Sequence, residues 1–353
     1  MKAAMWHGYK DIRIEEVPAP ELLPGRVLIE VAWAGICGTD RHEYVGPNFI
    51  PVAKPHRLTG RRAPLILGHE FAGIIAETGP GVEGWRKGDR VTANGTLSCG
   101  ACEACRKGRY NICEKLGFLG VSRDGAFAEY VSVEAARLFR VPPALSLRHA
   151  VLAEPLACGI HAARLLGDIS GKDVVVVGPG IIGLACFFAS REAGAGRILV
   201  AGRGNARRCL VEAAGGIYVD VETGNLPEAA AARFGGGLAD VAYECVGVQA
   251  SLDSCLDILK PSGALMVMGV YEKPPVFRVN DFQEGERRLF TSQAHVDEIA
   301  AALEFLARGG VDAERLITRE TTLDTLVGEG FEELLARGEE HIKVLIRVRG
   351  EKA

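Results

Sequence analysis

Four of the ten cysteines fall close together, as Cys99-x2-Cys102-x2-Cys105-x7-Cys113, in a Gly-rich and charged stretch. Four thiolates satisfy a tetrahedral zinc ion and leave no open position, so this group reads as a structural metal site. Little apolar material is present to hold such a stretch closed. The C-x-x-C pairs also lack the surroundings of a thiol redox site. A second set of metal-binding residue types is scattered along the chain: Cys37-Gly38-Thr39-Asp40-Arg41-His42, Gly68-His69-Glu70 and Ala153-Glu154-Pro155. Singly, His69 reads as a hydrogen-bonded structural histidine and Glu154 as a helix cap. Together, a thiolate, an imidazole and carboxylates suit a catalytic zinc with an open or exchangeable position.

A third pattern is Asp173-Val174-Val175-Val176-Val177-Gly178-Pro179-Gly180-Ile181-Ile182-Gly183. A four-valine strand opens through G-x-G-x-x-G into an apolar helix, the context in which this glycine pattern binds a dinucleotide. Gly178 permits the turn, Gly180 lets backbone approach a pyrophosphate, and Gly183 lets helix and strand pack closely. Ile181 and Ile182 begin a helix whose free N–H groups face the phosphates. The next strand ends Leu199-Val200-Ala201-Gly202-Arg203-Gly204-Asn205-Ala206-Arg207-Arg208. An NAD site usually carries an acid at this point. Here Gly202 replaces it, removes its repulsion and opens space, while Arg203, Arg207 and Arg208 supply charge for a 2′-phosphate. NADP is therefore expected over NAD, with a solvated basic loop as the plainer alternative.

These residues need two kinds of scaffold. Over the first 150 residues, short β-type runs (27–32, 73–77, 90–93, 126–133) alternate with turn signals, which suggests a barrel-like β domain. From Pro155, apolar runs at 174–177, 197–201, 217–219, 241–244, 264–269 and 288–292 are separated by helix-length connections. That rhythm predicts a doubly wound parallel sheet. Helices at 296–307 and 331–336 and a strand at 342–348 are not needed by that sheet and return to the first domain. The expected division is 1–155 with 294–353, and 156–293. Cys158, Cys186, Cys209, Cys245 and Cys255 read as small buried hydrophobes.

The 353 residues carry 41 Lys+Arg against 45 Asp+Glu, a formal charge of -4, without the basic excess of a nonspecific nucleic-acid binder. No apolar signal region opens the chain, and its longest weakly charged stretch is interrupted by Gly and Pro, so a cytoplasmic protein without membrane contact is expected.

Over essentially its full length the chain resembles the zinc-dependent medium-chain dehydrogenase/reductases of the alcohol dehydrogenase superfamily. It is most similar to their butanediol and polyol branch, near sorbitol and threonine dehydrogenases. The residues carrying the likeness are His42-Glu43-Tyr44, Gly46-Pro47-Asn48-Phe49-Ile50-Pro51, Leu58-Thr59-Gly60, 114–120, 247–250 and 331–334. The long segment between Cys37 and His69, shared with the butanediol branch, contains charged residues 54–62 that either shape a pocket entrance or form a solvated loop. The resemblance implies a GroES-like β-barrel catalytic domain, a Rossmann domain, and two zinc ions per chain. It makes Cys37, His69 and Glu154 zinc ligands, with Glu70 ligating directly or standing just behind. Asp40 orients His69, and Thr39 and His42 form a proton relay about the nicotinamide ribose. Cys99, Cys102, Cys105 and Cys113 hold the structural zinc. The implied reaction moves hydride between a secondary alcohol, of diol, polyol or acyloin type, and a nicotinamide cofactor in a homodimer or homotetramer. The rival readings are a cofactor-sensing protein without catalysis and a zinc-free quinone or enoyl reductase.

Overall fold

The structure, a computed structural model, describes residues 1–46 and 49–350; Pro47 and Asn48, part of the resemblance, lie outside the described residues. The chain divides into two compact units, Met1–Glu154 with Ile299–Ala353, and Pro155–Glu298.

The first unit is built on the strand Arg26–Gly35, whose Val27, Ile29, Val31 and Ala34 are fully buried. Three strands pair with it antiparallel: Glu70–Thr78, Tyr130–Glu134 and Lys343–Arg347. Arg90–Ala93 and Leu138–Arg140 extend the sheet on one side, and Ile317–Thr322 closes it on the other. Register decides what meets at the end of the central strand. Gly35 lies opposite Glu70 on one neighbour and Leu345 on the other, so one strand end gathers residues distant in sequence. Trp6, Tyr44, Phe71, Phe127 and Phe331 are the large side chains of this core. Sequence patterning places several boundaries differently. The 126–133 run becomes a strand only over Tyr130–Glu134, and the 331–336 helix is preceded by a π-helical stretch, Leu326–Glu332. There Phe331 turns inward to pack on Tyr44, with ring centroids 4.9 Å apart.

The second unit is a parallel sheet ordered Ile217–Asp220, Ile198–Gly202, Val174–Val177, Ala239–Glu244, Leu259–Val267 and Arg288–Thr291. Numbered along the chain this is the 3-2-1-4-5-6 order of a doubly wound sheet, whose switch point flanks Val174–Val177. All four valines of that strand are buried, as a strand covered on both faces requires. Its fifth strand begins earlier than its apolar run, because Leu259 pairs with Ala239 before the register shifts. Cys158, Cys186 and Cys255 are buried as expected and Cys245 is partly covered. Cys209 is not a core residue: it is exposed, on the polar side of the helix Asn205–Ala213.

Candidate active site and metal centres

The central strand delivers Cys37, which caps the N-terminus of the helix Gly38–Val45. That helix carries Thr39, Asp40 and His42; Thr39 and His42, three residues apart, share one side of it, and both are half-buried. Asp40 turns the other way and is fully buried, its Oδ2 accepting the Cys37 N–H at 2.9 Å. The ligand atoms of Cys37, His69 and Glu70 lie within 4.8 Å of one another. Asp40 Oδ1 is 3.8 Å from His69 Nδ1, and both atoms are buried without a hydrogen-bond partner among the described residues. Burial pushes the Asp40 carboxyl up to about 6, against the pull of His69. Burial also works against charge on His69, yet Cys37 and Asp40 overcome it and hold the imidazole well above its ordinary value. A site this rich in negative donors favours a cation, and its soft thiol, imidazole and carboxylate match zinc.

Glu154 stands outside this three-residue cluster, in the first turn of the helix Ala153–Leu166. Its charge nevertheless acts on both His69 and Lys343. Lys343 escaped sequence reasoning. It opens the last strand, is buried to 1% exposure, and donates to both Glu70 oxygens at 2.8 and 2.6 Å and to the Ile36 carbonyl at 3.0 Å. The only signal was a lysine at the head of the apolar run Val344-Leu345-Ile346, in a strand assigned to the core.

The four clustered cysteines also come together. Cys99 and Cys105 sulfurs are 4.0 Å apart and those of Cys102 and Cys113 are 3.9 Å apart. A zinc–thiolate tetrahedron has edges of about 3.8 Å. Backbone N–H groups of Ala101 and Cys102 pull Cys99 down to about 6. Burial and the neighbouring sulfurs push Cys105 up to about 11. Sulfurs this close cannot all ionise without a cation among them. The charged segment 54–62 is largely exposed, and three of its side chains clasp the chain beyond Cys113. His56 Nε2 meets the Leu116 carbonyl at 2.9 Å, Arg57 donates to the Glu114 carbonyl at 2.7 Å, and Arg61 pairs with Asp124 at 2.7 Å.

In the second unit, Gly178 has φ +97°, and Gly180 caps the helix Ile181–Glu192. A Cβ on Gly180 would meet nothing within 4 Å, so the backbone is open to a phosphate there. Buried Glu244, also missed from sequence, ties down the neighbouring turn. Its Oε1 accepts from the N–H groups of Val246 (2.8 Å) and Gly247 (2.9 Å) and from Ser251 Oγ (2.6 Å). At the end of the second strand the expectation of open space is corrected. A side chain at Gly202 would overlap the Pro179 ring, so the missing acid reflects tight packing. Of the three arginines, Arg208 pairs with Asp220 at 3.0 Å, Arg203 with Glu222 at 3.3 Å, and Arg207 donates to the Arg203 carbonyl at 3.3 Å.

A two-unit chain with a thiol–imidazole–carboxylate cluster, a four-cysteine lobe and a glycine-turned parallel sheet defines a class, and sequence comparison agrees. Residues 23–143 match the alcohol dehydrogenase GroES-like domain and residues 182–308 match the zinc-binding dehydrogenase family. The chain belongs to the zinc-binding alcohol dehydrogenase family and is a nicotinamide-dependent oxidoreductase. It is 39% identical to (R,R)-butanediol dehydrogenase of Bacillus subtilis, over 98% of this chain and 99% of that protein. It is 33% identical to sorbitol dehydrogenase of the same organism, over 98% of this chain and 97% of that one. The crystal structure of 2R,3R-butanediol dehydrogenase from Bacillus subtilis superposes with a TM-score of 0.90 at 38% identity, covering 98% and 99% of the two chains. A zinc-binding dehydrogenase from Sinorhizobium meliloti bound to NADP superposes with a TM-score of 0.87 at 32% identity, covering 98% of each. Among the described residues, no helix is long and apolar enough to cross a membrane.

Proposed function

We propose that this protein oxidises a small vicinal diol, or reduces the corresponding hydroxyketone, with NADP preferred to NAD. Cys37, His69 and Glu154 hold the catalytic zinc, with Glu70 beside it. Cys99, Cys102, Cys105 and Cys113 hold a second zinc that only stabilises. When bound, zinc lowers the pKa of an alcohol oxygen, and the nicotinamide accepts hydride. The chain's own groups do the rest. Asp40 faces the His69 ring at 3.8 Å as its ionic partner and so favours its orientation, and Lys343 restrains the Glu70 carboxylate by two charge-assisted hydrogen bonds. Thr39 would accept the substrate's hydroxyl proton as it passes its own on through the nicotinamide ribose to His42, which exchanges it with water.

The observation that carries this reading is the convergence of Cys37, His69 and Glu70 at one strand end, above a helix presenting Thr39 and His42. The names of its relatives support a diol or polyol substrate. Arg203, Arg207 and Arg208 beside Gly202 support NADP. The pairs that Arg203 and Arg208 make with Glu222 and Asp220 are partly exposed, and such pairs yield readily to a phosphate dianion. The unit 1–154 with 299–353 serves as the catalytic domain and 155–298 as the nucleotide domain. The edge strand Arg288–Thr291 is suited to pair with a second copy in a dimer or tetramer. Steady-state rates over a panel of diols, sugar alcohols and hydroxyketones, with each cofactor, test the proposal; the highest kcat/KM is expected for a vicinal diol with NADP.

A further inference from the structure

Resting on the reading that this sheet end holds the dinucleotide, we infer that Pro179 is a specificity-determining residue for the cofactor, acting as one unit with Gly202. A Cβ built on Gly202 would overlap Cδ and Cγ of Pro179, closer than real non-bonded carbons approach. The next nearest atom is Pro179 N at 3.4 Å, an ordinary van der Waals contact. The crowding therefore comes from two ring carbons that alanine lacks.

Gly202 has no backbone reason to be glycine. It ends the strand Ile198–Gly202, paired in register with Asp220, and is absent from the positive-φ residues. Its carbonyl accepts the Val221 N–H at 3.1 Å, which holds it in place on the sheet. Pro179 is equally fixed. Its ring locks φ, and it stands between Gly178, bonded to the Ala201 carbonyl at 2.9 Å, and Gly180, the helix cap. Neither partner yields by moving a flexible side chain. The proline between the two glycines thus forbids an acid at the end of the second strand, where an NAD-selective chain places one. Cofactor preference here is a property of the pair 179/202, and no single substitution at 202 converts it.

The test combines Pro179→Ala with Gly202→Asp and, as the minimal side chain, Gly202→Ala. Binding of NADP and NAD to each zinc-loaded variant is followed by titration calorimetry, and Tm is measured without cofactor. Gly202→Ala is expected to lower Tm by about 3 °C or more when proline is at 179 and by much less when alanine is there. Gly202→Asp alone is expected to weaken both cofactors, whereas P179A/G202D binds NAD roughly tenfold or more tighter than G202D. Additive effects, in Tm and in NAD affinity, overturn the coupling. An unmodified protein that binds NAD more tightly than NADP, with the coupling intact, overturns the NADP reading and leaves this inference standing.

Discussion

Both carboxylate oxygens of Glu70 accept hydrogen bonds from the Lys343 ammonium, at 2.8 and 2.6 Å, in a place where neither side chain reaches solvent. A buried pair of this kind is strongly coupled to packing: removing one partner strands the other charge, while removing both need cost little. Lys343 is pressed toward neutrality by burial, but Glu70 and Cys37 together raise its pKa above the ordinary value, so it stays charged.

Lys343→Met is therefore expected to destabilise the protein by about 3–5 kcal/mol. The double variant Lys343→Met/Glu70→Gln should recover most of that loss in a denaturant titration. A single variant as stable as the unmodified protein contradicts the assignment of Lys343 as the counter-charge of Glu70.

The two metal sites should separate by mutation. His69→Ala is expected to abolish turnover and remove one zinc from a chain that still folds. Cys102→Ser is expected to lower Tm and remove the other zinc, because four thiolates tie that lobe together. Metal content by mass spectrometry alongside circular dichroism distinguishes them; equal loss of folding from both substitutions contradicts the assignment.

Acid stability has a local source in Glu298. Burial opposes its charge, but hydrogen bonds from His161 at 3.1 Å and the Val296 N–H at 2.7 Å prevail and hold its pKa near 2, below the ordinary 4.5. A depressed carboxyl pKa stabilises the fold above the unfolded value and ceases to do so as pH falls through the folded one. The contribution is about 3 kcal/mol, lost between about pH 4.5 and 2. Unfolding free energies measured across that window should fall less steeply for Glu298→Gln than for the unmodified chain.

Cofactor choice can be read from the arginines one at a time. A charge-assisted pair with a 2′-phosphate is worth about 1.5–3 kcal/mol, so Arg203→Ala should weaken NADP by roughly ten- to a hundredfold and barely change NAD. Arg208→Ala should do less, since Arg208 also serves Asp220 and lies over the Tyr218 ring. Equal losses for both cofactors would place Arg203 outside the phosphate site.

Much of this was legible in the sequence because it depends on local spacing. The cysteine lobe and the glycine turn are contiguous, and the parallel strands announce themselves as apolar runs. What was not legible depends on register and on contact. Lys343 meets Glu70 only because residues on two different strands fall opposite Gly35. Gly202 looked like an opened site from its neighbours in sequence, and it took the position of the Pro179 ring to show a filled one. The segment 54–62 is solvated as its charge suggests, but sequence could not show that His56, Arg57 and Arg61 reach two carbonyls and a carboxylate beyond Cys113.

In the proposed function, hydride transfer depends on a zinc held at the Cys37–His69 end of the first unit. This dependence is tested most directly by following reduced nicotinamide formation from (2R,3R)-butanediol while zinc is removed with a chelator and then restored. Activity should fall as the first, more exchangeable equivalent of zinc leaves, with the fold intact, and should return when zinc is added back. His69→Ala should stay inactive throughout. Turnover that persists after that equivalent is gone, or in His69→Ala, would contradict a catalytic zinc at this site.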